Sequence, residues 1–309
     1  MNRFKNILFF ADGVHEPSTA LTRAINLAES NGARLTIVDV LEPVDVPNEI
    51  AVRFDVDLLD ILKQRRLETL NSMIDPYQQP ERLIYTKVLV GKPFIEIIRS
   101  VKKTGYDLVM KAARPPAGLS ERLFGSTDMH LLRKCPCPVW VDRPGAKSSY
   151  TRVLAAVDIL AEPRDNCSQL VMALSTSLAK RESAEPAIVH AWSLHGESML
   201  RDGRFRLSQT ELNLLLDSAE SRHRRLFDEL LAPYQLATKD SSVYLIKGEA
   251  APTIREVAEK LEADVIVMGT VGRSGIPGLF IGNTAEEVLQ TTHASVLAVK
   301  PESFTSPVT

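Results

Sequence analysis

Three cysteines in 309 residues (Cys135, Cys137 and Cys167) are too few and too unevenly placed for a disulfide framework, as suits a reducing cytosol. No Cys or His set has the spacing of a structural zinc site. No apolar run approaches a membrane span, and Met1–Lys5 leads straight into a strand without a signal-peptide apolar region. The expectation is a cytoplasmic protein with no membrane span. Net charge is only -2 and is shared evenly between the halves, which excludes the basic footprint of a nucleic-acid binder. No G-x-G-x-x-G follows the first strand of either half, and Gly91-Lys92 runs into Pro93 without the upstream glycine of a P-loop. No Ser/His/Asp set can be assembled, and the paired carboxylates fall on helix surfaces.

What is present is a repeat. Ile7–Asp12 matches Val153–Asp158, an apolar run closing on an acid, and Leu35–Val40 matches Ala187–Trp192. Val88–Ile97 matches Leu245–Ile254, and Asp107–Lys111 matches Asp264–Met268. From Gly91 and Gly248 onward the copies run without a gap at an offset of 157; at Asp12 and Asp158 the offset is 146, so the second copy is longer in its middle. Pro144–Ser149 reads as a flexible, polar linker. The domains are therefore set at 1–144 and 150–303, with 145–149 between them and a tail at 304–309.

Each copy alternates short apolar strands with amphipathic helices, the pattern of an open, doubly wound parallel α/β sheet covered on both faces. Leu21, Ala24, Ile25 and Ala28 form one helical stripe that Asn31-Gly32 ends. Ser208 and Glu211 form a capping box ahead of a stripe of Leu212, Leu215, Leu216, Ala219 and Leu226. The last strands, Val139–Val141 and Val296–Val299, look edge-like. Their economical cover is a pseudo-two-fold pairing of the two domains, an intrachain pseudo-dimer with Trp140 in its core. The Val-, Ile- and Leu-rich helix Glu49–Ile74 leaves room for a further homodimer.

Ligands of doubly wound sheets sit beyond the carboxyl ends of strands, where strand order reverses. In the second copy, Asp158 ends the first strand and Gly269-Thr270-Val271-Gly272 ends the fourth. Nine residues later Gly282-Asn283-Thr284 opens a helix, so bare backbone and the positive end of a helix dipole meet at one sheet edge. That is a cradle for phosphates, and Arg273 within it is placed to screen their charge. The first copy keeps Asp12 and Gly125-Ser126-Thr127 but puts Ala112 and Pro115 where the two glycines stand. A Cβ restricts the backbone there, and proline removes a donor.

On these residues the chain resembles the universal stress protein family, across both repeats. Its matching positions are Asp158, His190-Ala191, Gly248-x-Ala250, and the glycines 269, 272 and 282 with Asn283 and Thr284. The tandem arrangement, the degenerate first copy and the run His130–Pro136 are most similar to the universal stress protein E branch. The resemblance implies an adenine-nucleotide binder, with ATP as cofactor, with or without Mg, acting in stress response with little or no turnover. It assigns the ribose to Asp158 and adenine to Ala191. The phosphates fall to Gly269, Gly272, Gly282, Asn283 and Thr284. No catalytic nucleophile is implied.

Other readings stand beside it. One is a scaffold that has lost nucleotide or holds another small or lipidic ligand. Another is a slow ATPase or adenylyl transferase, although the chain lacks the Ser-Gly-Gly loop and His-x-Gly-His pair of such enzymes. Thr284 and Glu287 form a second capping box that spends the hydroxyl on its own helix. Lys111 either serves a different anionic ligand in the first copy or, the favoured reading, pairs with a nearby acid. Cys135-Pro136-Cys137 packs as small apolar residues. His190 is a satisfied core residue, and Arg222–Arg225 is the wet side of its helix.

Overall fold

A computed structural model describes residues 3–13, 18–43, 58–114, 124–160, 167–201, 208–271 and 281–309. The chain divides into two compact units, each an α/β layer structure. The first comprises Met1–Ser149 with Ser295–Lys300 and Phe304–Thr309, and the second Tyr150–Ala294 with Pro301–Ser303.

In the first unit the parallel strands are β1 (Asn6–Phe10), β2 (Arg34–Leu41), β3 (Ile84–Val90), β4 (Leu108–Ala112) and β5 (Val139–Asp142), in the order β3-β2-β1-β4-β5. In the second they are β6 (Arg152–Ala156), β7 (Glu185–Trp192), β8 (Val243–Lys247) and β9 (Val265–Gly269), in the order β8-β7-β6-β9. Strand order reverses between β1 and β4, and again between β6 and β9. The inner strands β1, β4, β6 and β9 are nearly continuous apolar sequence because helices cover both faces, so side chains of either parity are buried, whereas the outer strands β3 and β8 are only partly buried. Val139–Asp142 pairs antiparallel with β10 (Ser295–Val299), Trp140 facing Leu297, and Trp140 is 1% exposed. The edge expected at Val139–Val141 is thus covered within the first unit, by a strand from the end of the chain.

The same local devices build both units. Asp107 accepts the backbone N–H of Lys5 at 2.6 Å and of Asn6 at 3.1 Å; Asp264 accepts those of Thr151 at 2.7 Å and Arg152 at 3.0 Å. Each carboxylate thereby ties the start of the first strand to the entry of the fourth. Gly91 and Gly248 each stand where a Cβ would lie 2.8 Å from the side chain five residues on, Glu96 or Thr253. Helix Thr19–Asn31 ends on Gly32 at φ 56, and helix Cys167–Glu182 is followed by Ser183 at φ 55. Gly32 takes the left-handed turn without steric cost, whereas a residue with a Cβ is strained there.

Two details differ from expectation, the exposure of Leu215 and the burial of His223. The long helix of the first unit is described over Leu58–Ile74, and 49–57 lie outside the described residues. In helix Gln209–Leu231 the capping box forms, with Glu211 accepting the Ser208 N–H at 2.8 Å, and these bonds hold the Glu211 carboxyl below its usual range. Leu215, however, is exposed, and the buried positions are Leu212, His223, Phe227 and Leu231. His223 therefore leaves the wet side assigned to Arg222–Arg225 and joins the core. Among the described residues no helix is long and apolar enough to cross a membrane.

Candidate functional site

The carboxyl edge where strand order reverses holds Asp158 just beyond β6 and Gly269 at the end of β9. Asp158 sits in a turn: its Oδ1 accepts the Leu160 N–H at 3.1 Å, and its backbone N–H and carbonyl both bond Ser168 Oγ, at 3.2 and 2.8 Å. Ser168 belongs to helix Cys167–Glu182, so the start of that helix fixes where the carboxylate stands. Ala191 lies on the neighbouring strand β7, paired with Ile246. These elements bring Asp158, Ala191 and Gly269 to one sheet edge. Gly272 and Arg273 lie outside the described residues.

Gly282 resumes the described chain. Its N–H donates to the Thr270 carbonyl at 2.9 Å, which ties the start of helix Asn283–Thr291 to the exit of β9. Gly282 is the N-cap residue, with φ -75 and ψ 147 and no side-chain cap. The capping box expected from Thr284 and Glu287 does not form, because the helix begins one residue before Thr284. Both Asn283 and Thr284 are exposed in its first turn. The arrangement leaves a helix start at the sheet edge, where an anion is favoured.

Gly269 has a second explanation. A Cβ there would sit 2.7 Å from Cys167 Sγ, so the space a side chain needs is filled by the protein itself. Close packing alone accounts for this glycine, whatever its amide does.

The corresponding edge of the first unit is full of charge. Asp12, left-handed at φ 52, receives Lys111 Nζ at 2.7 Å and Arg114 Nη2 at 2.8 Å. Lys111, 1% exposed, also pairs with Asp128, whose other oxygen accepts the Gly125 N–H at 2.9 Å and so caps helix Ser126–Lys134. Beside them Asp39 accepts Arg66 Nη1 at 2.6 Å and the Gly13 N–H at 3.1 Å. Buried carboxylates and a buried ammonium are tolerable because each is paired. Lys111 therefore pairs with nearby acids, as favoured from sequence. β4 runs one residue past Lys111 to end on Ala112, and Pro115 lies outside the described residues.

The second unit fills those positions differently. The bonds Ala11 N–H to Val38 O and Val157 N–H to Val189 O set the register, so Asp39 stands level with His190 rather than with Ala191 as the sequence match had it. His190 Nδ1 lies 3.0 Å from the Val157 carbonyl, and its Nε2 lies 2.9 Å from His223 Nδ1, the rings stacked. A neutral His190 donating from Nδ1 accepts from His223 at Nε2, which satisfies both contacts. His190 is a satisfied core residue, as expected; its partner was missed. The available signal was spacing, since His223 falls four residues before Phe227 on the buried stripe.

A doubly wound α/β unit in which strand order reverses, present twice, defines a tandem α/β fold. The universal stress protein family matches residues 3–143 and again 149–300, and the chain belongs to that family. It is 27% identical over 313 residues to universal stress protein E of Escherichia coli strain K12, covering 100% of this chain and 98% of that protein. A universal stress protein E homolog from Haemophilus influenzae is 27% identical over 308 residues, covering 97% and 98%. Among solved structures, a functionally unknown protein from Pseudomonas aeruginosa PAO1 has a TM-score of 0.71 at 23% identity, covering 97% of this chain and 94% of that one. A candidate universal stress protein from Pseudomonas aeruginosa UCBPP-PA14 has a TM-score of 0.72 at 22% identity, covering 97% and 95%. These two likenesses bear on the fold.

Proposed function

We propose that the second unit binds an adenine nucleotide, ATP with or without Mg, with little or no turnover, and that the protein acts through this bound state in a stress response. The observation that carries the reading is the helix start at Gly282. It has no side-chain cap and stands at the same sheet edge as Asp158, whereas its counterpart Gly125 is capped by an aspartate already paired with lysine. In this reading the Asp158 carboxylate accepts ribose hydroxyls, and Ala191 is small enough for adenine to lie against β7. The phosphates fall to the backbone of Gly269, Gly272, Asn283 and Thr284, with Gly282, its own N–H given to the Thr270 carbonyl, keeping the helix start free of a side chain and Arg273 screening the charge. The repeats 1–144 and 150–303, joined by 145–149, then differ in role, and the first is a structural or effector partner.

Equilibrium dialysis of ATP against the full chain tests this, with one equivalent per chain expected. Replacement of Gly272 by Val should abolish retention while the melting temperature stays near that of the parent. Binding at two equivalent sites per chain, or no binding, overturns it.

A nucleotide-free scaffold is favoured by one observation, the packing of Cys167 Sγ where a Gly269 side chain would project. The double replacement Gly269→Ala with Cys167→Ala separates the readings. ATP binding equal to that of the Cys167→Ala single variant gives Gly269 a packing role alone.

A further inference from the structure

We propose that Cys135 and Cys137 are a redox-active dithiol, which a hydroperoxide converts to a disulfide within the Cys-Pro-Cys turn. The two sulfurs lie 3.6 Å apart and share one S–H hydrogen bond, short of bonding distance by about 1.5 Å given an S–S bond of about 2.05 Å. Their closeness is built into the chain. Cys135 caps helix Ser126–Lys134, its N–H donating to the Leu131 carbonyl at 2.9 Å. Pro136 has a fixed φ and no N–H, and the chain bends at Pro136 and Cys137 before β5 begins.

The environment divides the labour between them. Burial pushes the Cys135 thiol up, but hydrogen bonds from the Cys137 S–H and backbone N–H, with the Lys300 ammonium nearby, bring it below the ordinary range. The same shared bond, then burial, then the charges of Cys135 and Asp107 push Cys137 well up. Cys135 is fully buried and Cys137 partly exposed. The exposed thiol thus meets the oxidant, and the buried sulfur, 3.6 Å away, is the resolving group.

As the Cys137 sulfur attacks the distal peroxide oxygen, its proton passes to solvent. The O–O bond breaks, and the departing hydroxide takes a proton from solvent. Cys137 is left as a sulfenic acid. The Cys135 sulfur then attacks Cys137 and gives up its own proton, and the sulfenic oxygen leaves as water. Starting from both thiols, the net change is two thiols and one hydrogen peroxide to one disulfide and two waters. A ring closed across three residues is strained, and strained disulfides are readily reduced, so the couple cycles rather than locks.

The test uses the full chain and hydrogen peroxide, followed by denaturation, maleimide alkylation, intact mass and peptide mapping, with Cys167 as internal reference. Expected is a mass lower by two hydrogens. Both cysteines of the 135–137 peptide should be blocked together, and dithiothreitol should restore them. Cys135→Ser should leave a sulfenic acid at Cys137 that dimedone traps. If both sulfurs stay alkylatable when Cys167 is oxidised, the proposal fails. It also fails if the peptide is found joined to another chain, or passes to sulfinic acid without a disulfide.

Discussion

The two units place different chemistry at the same point of the same strand order. Lys111 and Asp128 of the first stand where the second has Met268 and Ala285; Arg114 stands where it has Val271. Asp39 and Arg66 stand where it has His190 and His223. The aspartate ending the first strand, Asp12 or Asp158, and the glycine opening the last helix, Gly125 or Gly282, are common to both. Charges change in partnered sets, because removing one member of a buried ion pair leaves the other unpaired in a low-dielectric interior. The comparison teaches that the first unit satisfies its sheet edge with ion pairs of its own, while among the described residues of the second Met268, Ala285, His190 and His223 hold those places.

The comparison breaks most readily at Lys111. Lys111→Met alone should cost about 3–5 kcal/mol, because Asp12 and Asp128 then lie buried without their ammonium. Adding Asp128→Ala should recover a large part of that loss, and urea unfolding of the single and double variants measures it. Equal destabilisation of the two would mean that the triad is not coupled.

Installing the first unit's pair in the second, as Met268→Lys with Ala285→Asp, should weaken ATP binding by about tenfold or more, about 1.4 kcal/mol or above. The new aspartate would put a carboxylate at the helix start where the phosphates are proposed to lie, since the Gly282 N–H itself is already given to the Thr270 carbonyl. Dialysis reads the change, and unaltered affinity would move the phosphates away from this helix start.

A smaller effect is expected at the histidines. His190→Asp or His223→Arg alone should destabilise by about 1–3 kcal/mol through a mismatched buried partner. Together they should be coupled by at least about 0.5 kcal/mol, since they rebuild the pair of the first unit. Strict additivity in denaturant melts would deny that the two sites are equivalent.

The smallest effect concerns a feature outside the comparison. Ser208→Ala should cost about 1 kcal/mol through its lost cap, with ATP binding unchanged. A fall in affinity would make helix Gln209–Leu231 part of the site.

Much of this was legible in the chain. Apolar runs fixed the strands, because a sheet covered on both faces accepts little else, and Gly32 and the Ser208–Glu211 box marked helix ends by local stereochemistry alone. Asp158 and Gly269 could be sent to one edge because βαβ crossovers have a fixed hand. The pairing of Lys111 was readable as a preference, since a lysine ending a buried strand needs an acid. The pairing of His190 with His223 was not, because they belong to different elements, and a lone histidine among arginines reads as surface. Thr284 misled for a related reason: its box pattern is genuine, but the bond from Gly282 to the Thr270 carbonyl starts the helix earlier.

Sequence by itself determined the repeated α/β alternation, the family and the acids and glycines at the strand ends, because these follow from periodicity and backbone freedom along one stretch of chain. Tertiary structure alone decided that Cys167 occupies the space beside Gly269, that His223 turns inward, and that the strand Ser295–Val299 completes the first unit. Such contacts depend on where separate elements meet, and side-chain packing across distant segments leaves no periodic trace in either one.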